Sequence, residues 1–294
     1  MKRPESLTAH PSSEVAGRHV SVNGEHYFVR DPGGAGPVVL LLHGWPDDST
    51  LWRDVQRTMS EQGYRAIAVD WLAHGQSSMP RDPTQRCAVP RLSADTIALL
   101  DALALPRVHL VAHDYGATVS WETVAQHPER FLTYTAISVG PSLEIMRDVL
   151  AGGLFRYHWL VLHGLAASIP WYLANDARRF RAKFASHPDA ERILERLRRG
   201  DPTFFTIWER ANPAYVVLWR QLQLGRERRR IRVPTLALYG RADEWMTEGQ
   251  LARGQDGVDA PWRYCAIDGG HWIPLERADA VSAEVLDWLA RHPG

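Results

Sequence analysis

Asp114 stands where a strand-like segment gives way to a helix-forming one. The apolar, β-branched run 108–111 is typical of a buried strand, and residues 117–125 favour a helix. Ala112 and Gly116 lie two positions before and after Asp114, which is the spacing of a nucleophile elbow, a tight strand-to-helix turn that exposes one side chain. A carboxylate at that point could displace a leaving group from a saturated carbon. An Asp that only caps the following helix is the alternative, and this stretch alone fits both.

A nucleophile requires a base and a group that orients the base, and the C-terminal third offers both. Asp243 follows the strand-like run 233–239, and His271 follows the next such run behind two glycines. Glu244 competes with Asp243 for the role of the acid, but Asp243 fits the position just after a strand better. The joint occurrence of Asp114, a post-strand acid and a post-strand Gly-Gly-His favours a catalytic triad over three unrelated side chains.

Two backbone amides are predicted to stabilise an oxyanion. They are the N–H of Trp45, in the turn His43-Gly44-Trp45-Pro46, and the N–H of Tyr115, directly after Asp114. Because both donors are backbone groups, we expect the side chains at these two positions to matter less. His113 is interpreted as a structural residue.

Short apolar runs alternate with helix-forming segments through most of the chain, which predicts an α/β fold with a mostly parallel, doubly wound sheet. Asn23-Gly24, between two alternating runs, predicts an opening β-hairpin. Residues 141–230 have helix-forming patterns throughout and are predicted to be a helical lid inserted between two strands. The remaining parts are a flexible N-terminus at 1–17 and a core formed by 18–140 and 231–294. The predicted strands after the hairpin are 38–42, 66–69, 108–111, 133–138, 233–239 and 262–267.

Arginine is abundant in the predicted lid. We interpret these residues as the solvated faces of amphipathic helices, with Ile193, Leu194 and Leu197 on the buried side of one of them. A basic surface that attracts an acidic substrate or partner is the alternative. The arginines concerned are Arg178, Arg179, Arg181, Arg192, Arg196, Arg198, Arg199, Arg226, Arg228, Arg229 and Arg230.

Composition argues against several classes of function. The 294 residues are 45% hydrophobic and 23% charged with a formal net charge of zero, so nothing global predicts binding to nucleic acid or an anionic membrane. Cys87 and Cys265 are too few for a disulfide framework or a metal knuckle, and no phosphate loop is present, so no metal and no cofactor are expected. The polar N-terminus predicts no signal peptide, and no run reaches the roughly 18 apolar residues of a membrane span. We expect a cytoplasmic protein, and the sequence leaves open whether it forms a homo-oligomer.

Three motifs carry a resemblance to a known family. They are His43-Gly44-Trp45-Pro46, His113-Asp114-Tyr115-Gly116 and Gly269-Gly270-His271. From about residue 18 onward the chain resembles the α/β-hydrolases, and within them the branch with an aspartate nucleophile. That branch contains the epoxide hydrolases and the haloalkane and haloacetate dehalogenases.

The resemblance implies a reaction in two steps. Asp114 attacks a saturated carbon and forms an alkyl ester, since a carboxylate that attacked an ester would form only an anhydride that reverts. His271, oriented by Asp243, then activates water against the carboxyl carbon, and the amides of Trp45 and Tyr115 stabilise the oxyanion.

The predicted lid departs from the family pattern. Epoxide hydrolases usually place two lid tyrosines over the epoxide oxygen, and here His158 and Trp219 stand at the corresponding positions. His158, Trp159 and Trp219 are therefore predicted to bind the leaving group or substrate, since each can donate an N–H hydrogen bond. The same donors resemble the halide cradle of the haloacetate dehalogenases. Packing within the lid is the alternative role for these three side chains.

The motif set favours epoxide hydrolysis over dehalogenation. No arginine follows Gly116 to bind a haloacetate carboxylate, and Trp45 stands where haloalkane dehalogenases usually carry Asn or Glu. We therefore expect an epoxide hydrolase that opens a small hydrophobic epoxide to a diol. A haloalkane or haloacid dehalogenase is the first alternative, and a non-catalytic binding protein with the same fold is the second. A serine esterase is disfavoured because no serine occupies the elbow.

Overall fold

Eight strands form one sheet, and its central strands are the most apolar segments of the chain. The computed structural model describes residues 15–152, 157–165, 167–225 and 227–293. Within the central strands almost every side chain is buried, as expected for a sheet that helices cover on both faces. The strands are β1 Gly17–Val22, β2 Glu25–Arg30, β3 Val38–Leu42, β4 Arg65–Val69, β5 Val108–His113, β6 Phe131–Ile137, β7 Thr235–Gly240 and β8 Trp262–Ile267.

The strand order is β1-β2-β4-β3-β5-β6-β7-β8. The predicted hairpin at Asn23-Gly24 joins β1 to β2, and both turn residues have the positive φ (50° and 85°) that this sequence favours. The pairs β1–β2 and β2–β4 are antiparallel, and every other neighbouring pair is parallel. The predicted mostly parallel sheet is therefore confirmed.

The strand register brings three loops together at one edge of the sheet. The last residues of neighbouring strands are paired, with His113 opposite Ile137 and Gly240 opposite Ile267. Because parallel strands end at the same edge, the loops after β5, β7 and β8 meet there. These are the loops that carry Asp114, Asp243 and His271.

Helices cover the sheet and form the insertion between β6 and β7. In the described stretches between these two strands the chain forms helices and contains no strand, and α5 to α10 lie within the predicted lid. None of the helices in the described ranges is long and apolar enough to span a membrane. The helices are α1 Arg53–Glu61, α2 Pro83–Arg86, α3 Val89–Ala102, α4 Tyr115–Gln126, α5 Ser142–Leu150, α6 His158–Gly164, α7 Ser168–Lys183, α8 Ala190–Arg199, α9 Ile207–Ala211, α10 Ala214–Leu224, α11 Glu248–Ala252, α12 Ile273–Glu276 and α13 Ala278–Arg291.

Aromatic side chains join the lid to the core. Trp208 of α9 meets Trp71 edge to face, with the ring centroids 6.1 Å apart. Phe184 and His187, on the lid side, contact Trp272, which directly follows His271. All of these side chains are buried, so the lid is packed against the edge of the sheet where the three loops meet.

Two of the lid arginines bind a carboxylate of the core. Arg192 and Arg196 of α8 lie 2.7 and 3.6 Å from an oxygen of Asp48, whose side chain is only 8% exposed. Burial alone would raise the pKa of Asp48, but Arg192 and a hydrogen bond from Thr50 outweigh it and hold this pKa well below its usual value. The solvated-face interpretation fits Arg199 and also Arg192, whose side chain is 40% exposed while it binds Asp48, but it is wrong for Arg196, which is half-buried.

Replacing Asp48 with Asn should lower the free energy of unfolding by about 2 kcal/mol at pH 7, because both guanidinium groups lose their carboxylate. The Asn oxygen can still accept the hydrogen bond from the Thr50 N–H that caps the next turn. The depressed pKa means that Asp48 stabilises the fold above about pH 4, and this contribution disappears as the pH falls through the folded-state pKa. Urea denaturation at a series of pH values should therefore show the two proteins converging in acid.

Asp54→Asn is the matched control. Asp54 pairs with Arg57 on the surface, with the two side chains 41% and 59% exposed. Its replacement should cost under about 1 kcal/mol. Equal losses of unfolding free energy for the two variants at pH 7 would contradict the interpretation that Asp48 holds the lid through Arg192 and Arg196.

Candidate active site

Asp114 occupies a tight turn between β5 and α4. Its backbone has φ 52° and ψ −121°, and its N–H donates to the Ile137 carbonyl oxygen across 3.2 Å. The turn brings α4 against β3, so that a Cβ on Gly116 would lie 2.4 Å from the Leu42 carbonyl oxygen. The small residue predicted after Asp114 is therefore required sterically. Strained backbone of this kind is held in place by its surroundings and often lies at functional sites.

The Asp114 side chain does not act as a helix cap. Within the described chain it makes no capping hydrogen bond to α4, and its Oδ1 instead accepts from the Trp45 N–H at 2.8 Å. This approach depends on Gly44, because a Cβ there would lie 2.3 Å from the Asp114 Cβ. The capping interpretation of Asp114 is therefore excluded.

The three predicted polar residues lie in one hydrogen-bonding line. His271 Nε2 is 3.5 Å from Asp114 Oδ2, and His271 Nδ1 is 2.8 Å from Asp243 Oδ2. Asp243 Oδ1 accepts the backbone N–H groups of the second and third residues after it, at 2.7 and 2.8 Å. Glu244, the competing acid, is exposed, while Asp243 is buried. His271 thus lies between Asp114 and Asp243. Covalent catalysis by a triad requires this spatial order, with the histidine between the nucleophile and the acid.

The loop that carries His271 is fixed from three sides. The carbonyl oxygen of His271 accepts hydrogen bonds from His113 Nε2 at 2.9 Å and from Ser138 Oγ at 3.0 Å. Burial, and then the neighbouring His271, lower the pKa of His113 to about 4, so at neutral pH this ring is uncharged. Glu276 accepts the backbone amides on either side of His271. Ser138 was not identified from the sequence, because its partner is 133 residues away. Glu276 was not identified either, although the two amides that it accepts are only six and four residues away.

The charges of the three side chains depend on one another. Burial lowers the pKa of His271, but Asp243, and after it Asp114, outweigh burial and raise this pKa to about 10. Burial raises the pKa of Asp114, but the hydrogen bond and charge of His271 outweigh it and keep this pKa below its usual value. At neutral pH the site therefore holds an ionised Asp114 beside a protonated His271.

The two predicted oxyanion amides lie next to Asp114. The Trp45 N–H already binds Asp114 Oδ1, as described above. The Tyr115 N–H belongs to the first residue of α4, where helix geometry provides no acceptor within the helix. The N-terminus of a helix also carries a partial positive charge. The Trp45 amide can therefore stabilise negative charge on the carboxyl group of Asp114, and the same role for the Tyr115 amide stays a prediction.

A cavity of about 40 Å³ adjoins Asp114, and it contains one lid tyrosine. Tyr157 is buried, and its hydroxyl lies 3.4 Å from the Thr247 hydroxyl. It immediately precedes His158, the residue predicted from the sequence to face the leaving group. The cavity is lined by Asp114, Tyr115, Thr118, Val139, Ile145, Tyr157 and Met246.

The structure does not bring His158 or Trp219, two of the lid residues predicted from the sequence, to this cavity. His158 is exposed and does not line it, and Trp219 is 64% exposed on α10. The side chain of Trp159 lies outside the described residues. Successive residues at the start of α6 point in directions about 100° apart, so only one of Tyr157 and His158 can face the cavity. Of these two neighbours, Tyr157 is the one that lines the cavity.

Throughout the described part of the chain, no three His, Cys, Asp or Glu side chains are grouped so that they could hold a metal ion. The arrangement around Asp114 is that of a buried carboxylate bound to one backbone amide and facing an imidazole that a second carboxylate binds. It can form and then hydrolyse an ester on Asp114.

Replacing Asp243 with Asn should lower the pKa of His271 by about two pH units or more, because its nearest opposite charge is lost. The imidazole signal can be followed by NMR between pH 5 and 11 and assigned by its absence in His271→Gln. Asp268→Asn is the control, since Asp268 lies in the same loop as His271 but is exposed and paired with Arg241. If His271 titrated alike in Asp243→Asn and the wild type, the pairing with Asp243 would be refuted.

The chain is similar to known proteins over most of its length. Residues 37–278 match the model of the α/β-hydrolase fold family. Epoxide hydrolase A of Mycobacterium tuberculosis is 28% identical over 92% of this chain and 96% of its own length. An epoxide hydrolase of Caballeronia sordidicola is 38% identical over 45% of this chain and 40% of its own length.

Solved structures share the fold at lower sequence identity. Epoxide hydrolase A from Mycobacterium thermoresistibile superposes with a TM-score of 0.77 at 24% identity, over 94% of this chain and 98% of that one. A putative acyltransferase from Salmonella enterica superposes with a TM-score of 0.82 at 22% identity, over 97% and 98% of the two chains. The family match over most of the chain, together with the sheet and its elbow, shows that this protein belongs to the α/β-hydrolase fold family.

Proposed function

We propose that this protein is an epoxide hydrolase that works through an alkyl ester on Asp114. The observation that carries the proposal is the different use of the two Asp114 oxygens. Oδ1 accepts the Trp45 amide, whereas Oδ2 faces His271 Nε2, which in turn is bound to Asp243. The curated relatives that are named epoxide hydrolases support the same activity.

In the first step, Asp114 Oδ2 attacks one carbon of the epoxide. A bond forms between that oxygen and the carbon, the carbon–oxygen bond of the ring breaks, and its electron pair moves to the epoxide oxygen. Asp114 is suited to this attack because its low pKa keeps it ionised at neutral pH. The amide on Oδ1 orients the carboxylate so that Oδ2 is the attacking atom.

The departing oxygen needs a proton, and we assign its donor as Tyr157. An alkoxide is a poor leaving group, so a nearby acid accelerates ring opening. Tyr157 is the lid residue with an acidic hydroxyl that lines the cavity beside Asp114. The sequence-based assignment of this role to His158 and Trp219 is not retained, because neither side chain lines the cavity.

In the second step, His271 acts as the base. Esterification removes the negative charge of Asp114, which is one of the causes that raise the pKa of His271. His271 therefore loses its proton more readily after the ester has formed, and can then take one from water. The hydroxide adds to the carboxyl carbon, negative charge develops on Oδ1, and the Trp45 and Tyr115 amides stabilise it. Collapse of this intermediate breaks the bond between the carboxyl carbon and Oδ2, and the departing alkoxide takes the proton from His271 and leaves as the diol. Asp114 then carries the water oxygen in place of Oδ2.

The substrate is expected to be a small hydrophobic epoxide. Besides Asp114, the cavity presents mainly apolar surface, from Val139, Ile145 and Met246 among others. Its volume of about 40 Å³ is far below the several hundred Å³ of a typical ligand pocket. We therefore propose that the lid moves away from the core when substrate binds.

The His271→Gln variant should trap the ester. At pH 8 an aryl epoxide such as styrene oxide should increase the intact mass by the mass of the epoxide, because Gln cannot activate water. Asp114→Ala should gain no mass. The same experiment with a bromoalkane distinguishes a dehalogenase, since an adduct with the bromoalkane alone would overturn the assignment to epoxides. No adduct with either compound, from folded protein, would favour a binding protein.

Tyr157→Phe should slow ester formation by about 100-fold, because ring opening loses its proton donor. Rapid-quench measurement of ester formation in the His271→Gln background isolates this step. His158→Ala is the matched control, and it should leave the rate unchanged because His158 is exposed. A slow His158→Ala beside a normal Tyr157→Phe would restore the original assignment.

A further inference from the structure

The side chains of the two oxyanion residues reach out of the core and into the lid. The Trp45 indole N–H donates to the carbonyl oxygen of Phe205 at 2.9 Å, and its ring lies 4.4 Å from the ring of His163. The Tyr115 hydroxyl donates to Glu209 Oε1 at 3.0 Å. Each residue therefore binds the lid through its side chain, while its backbone lies beside Asp114, where the Trp45 amide binds Oδ1. The expectation that these side chains matter less is not supported by this arrangement.

Stacking reinforces the contact at Tyr115. Its ring is parallel to that of Trp208 within 5°, with the centroids 4.8 Å apart. Trp208 and Glu209 are neighbours on α9, so one short helix holds both the face and the hydroxyl of Tyr115. Because an aromatic side chain has only two rotatable bonds, these two contacts together restrict the backbone at the start of α4.

Within the lid, Glu209 is followed by further buried polar side chains. His163 Nδ1 lies 3.8 Å from Glu209 Oε1, and His163 Nε2 lies 2.8 Å from the Tyr172 hydroxyl. The side chains of His163 and Glu209 are 0% and 3% exposed. Buried polar groups hold one geometry strictly, because breaking any contact leaves a partner without solvation. These side chains thus link α6, α7 and α9 to the residue next to the nucleophile.

We propose that Glu209 is a positioning residue that couples seating of the lid to the oxyanion amides. This inference rests on the proposed hydrolysis through an ester on Asp114. When the lid is seated, Glu209 fixes Tyr115 and His163 packs on Trp45, so both amides are aligned on Oδ1. When the lid moves to admit substrate, these contacts are lost and the amides are less well aligned.

The two half-reactions respond differently to this alignment. Ester formation removes negative charge from Asp114, so amide hydrogen bonds to Oδ1 do not stabilise its transition state. Its only need there is the orientation of the carboxylate, which the Trp45 amide provides. Ester hydrolysis concentrates charge on Oδ1 and depends on both amides. Loosening Tyr115 therefore slows the second step selectively, and the ester accumulates.

Tyr115→Phe and Glu209→Gln test this proposal. Each should lower kcat for styrene oxide by roughly tenfold, less than the 100-fold or more expected when an oxyanion donor is removed outright. Each should also raise the fraction of protein that carries the ester during turnover, measured by intact mass after an acid quench. Ester formation, measured in the His271→Gln background, should stay within about twofold of the parent.

Tyr27→Phe is the control, since the Tyr27 hydroxyl donates to the buried carboxylate of Asp95 at 2.7 Å in the core, away from the site. It should lower the melting temperature without ester accumulation.

Unchanged ester fractions in Tyr115→Phe and Glu209→Gln, or equal slowing of both half-reactions, would overturn the positioning role. If one variant does not fold, the other decides. Failure of the proposed function itself is distinguishable, because His271→Gln would then carry no ester in any background.

Discussion

The site depends on one imidazole shared by two buried carboxylates. Asp114 and Asp243 are almost fully removed from solvent, and His271 lies between them with a hydrogen-bonding nitrogen toward each. Two like charges in such an environment are tolerated only when a cation or N–H donors compensate them. The protonated ring supplies the cation, and backbone amides at both carboxylates supply the remaining donors. The ionic state of each group is thus fixed by the other two.

The sheet makes this arrangement possible because it places each group at the end of a parallel strand. Three separate loops converge at one edge, although Asp114 and Asp243 lie on either side of the helical insertion and His271 follows Asp243 by 28 residues. The close approaches there leave no room for a Cβ at Gly44 or Gly116. A similar constraint holds at Gly240, where a Cβ would lie 1.8 Å from the Gly270 carbonyl oxygen. The glycines of the motifs are therefore part of the positioning of the charged groups.

The sheet and the three polar residues could be predicted because their signals are local. Asp114, Asp243 and His271 each follow a short apolar run, and the flanking small residues are adjacent in sequence. The role of Arg192 could not be predicted in this way, because its partner Asp48 is 144 residues away. The same holds for Glu209, whose hydrogen bond to Tyr115 spans 94 residues. For Tyr157 and His158 the sequence located the right segment, but the phase of a helix start decides which of two neighbours faces inward.

On the proposed mechanism, the protons balance within the site. Ring opening leaves Tyr157 as a tyrosinate while His271 still carries a proton, and at the same moment Asp114 loses its charge. The loss of that charge lowers the pKa of His271, so transfer of its proton to the tyrosinate becomes favourable. This transfer restores the phenol for the next turnover and produces the neutral imidazole that hydrolysis needs. During hydrolysis His271 takes one proton from water and returns it to the departing alcohol. The second water proton stays on the carboxyl group of Asp114 and then passes to His271, which regenerates the carboxylate and the imidazolium together. The charge of Asp114 therefore both drives the attack and controls when the base becomes active.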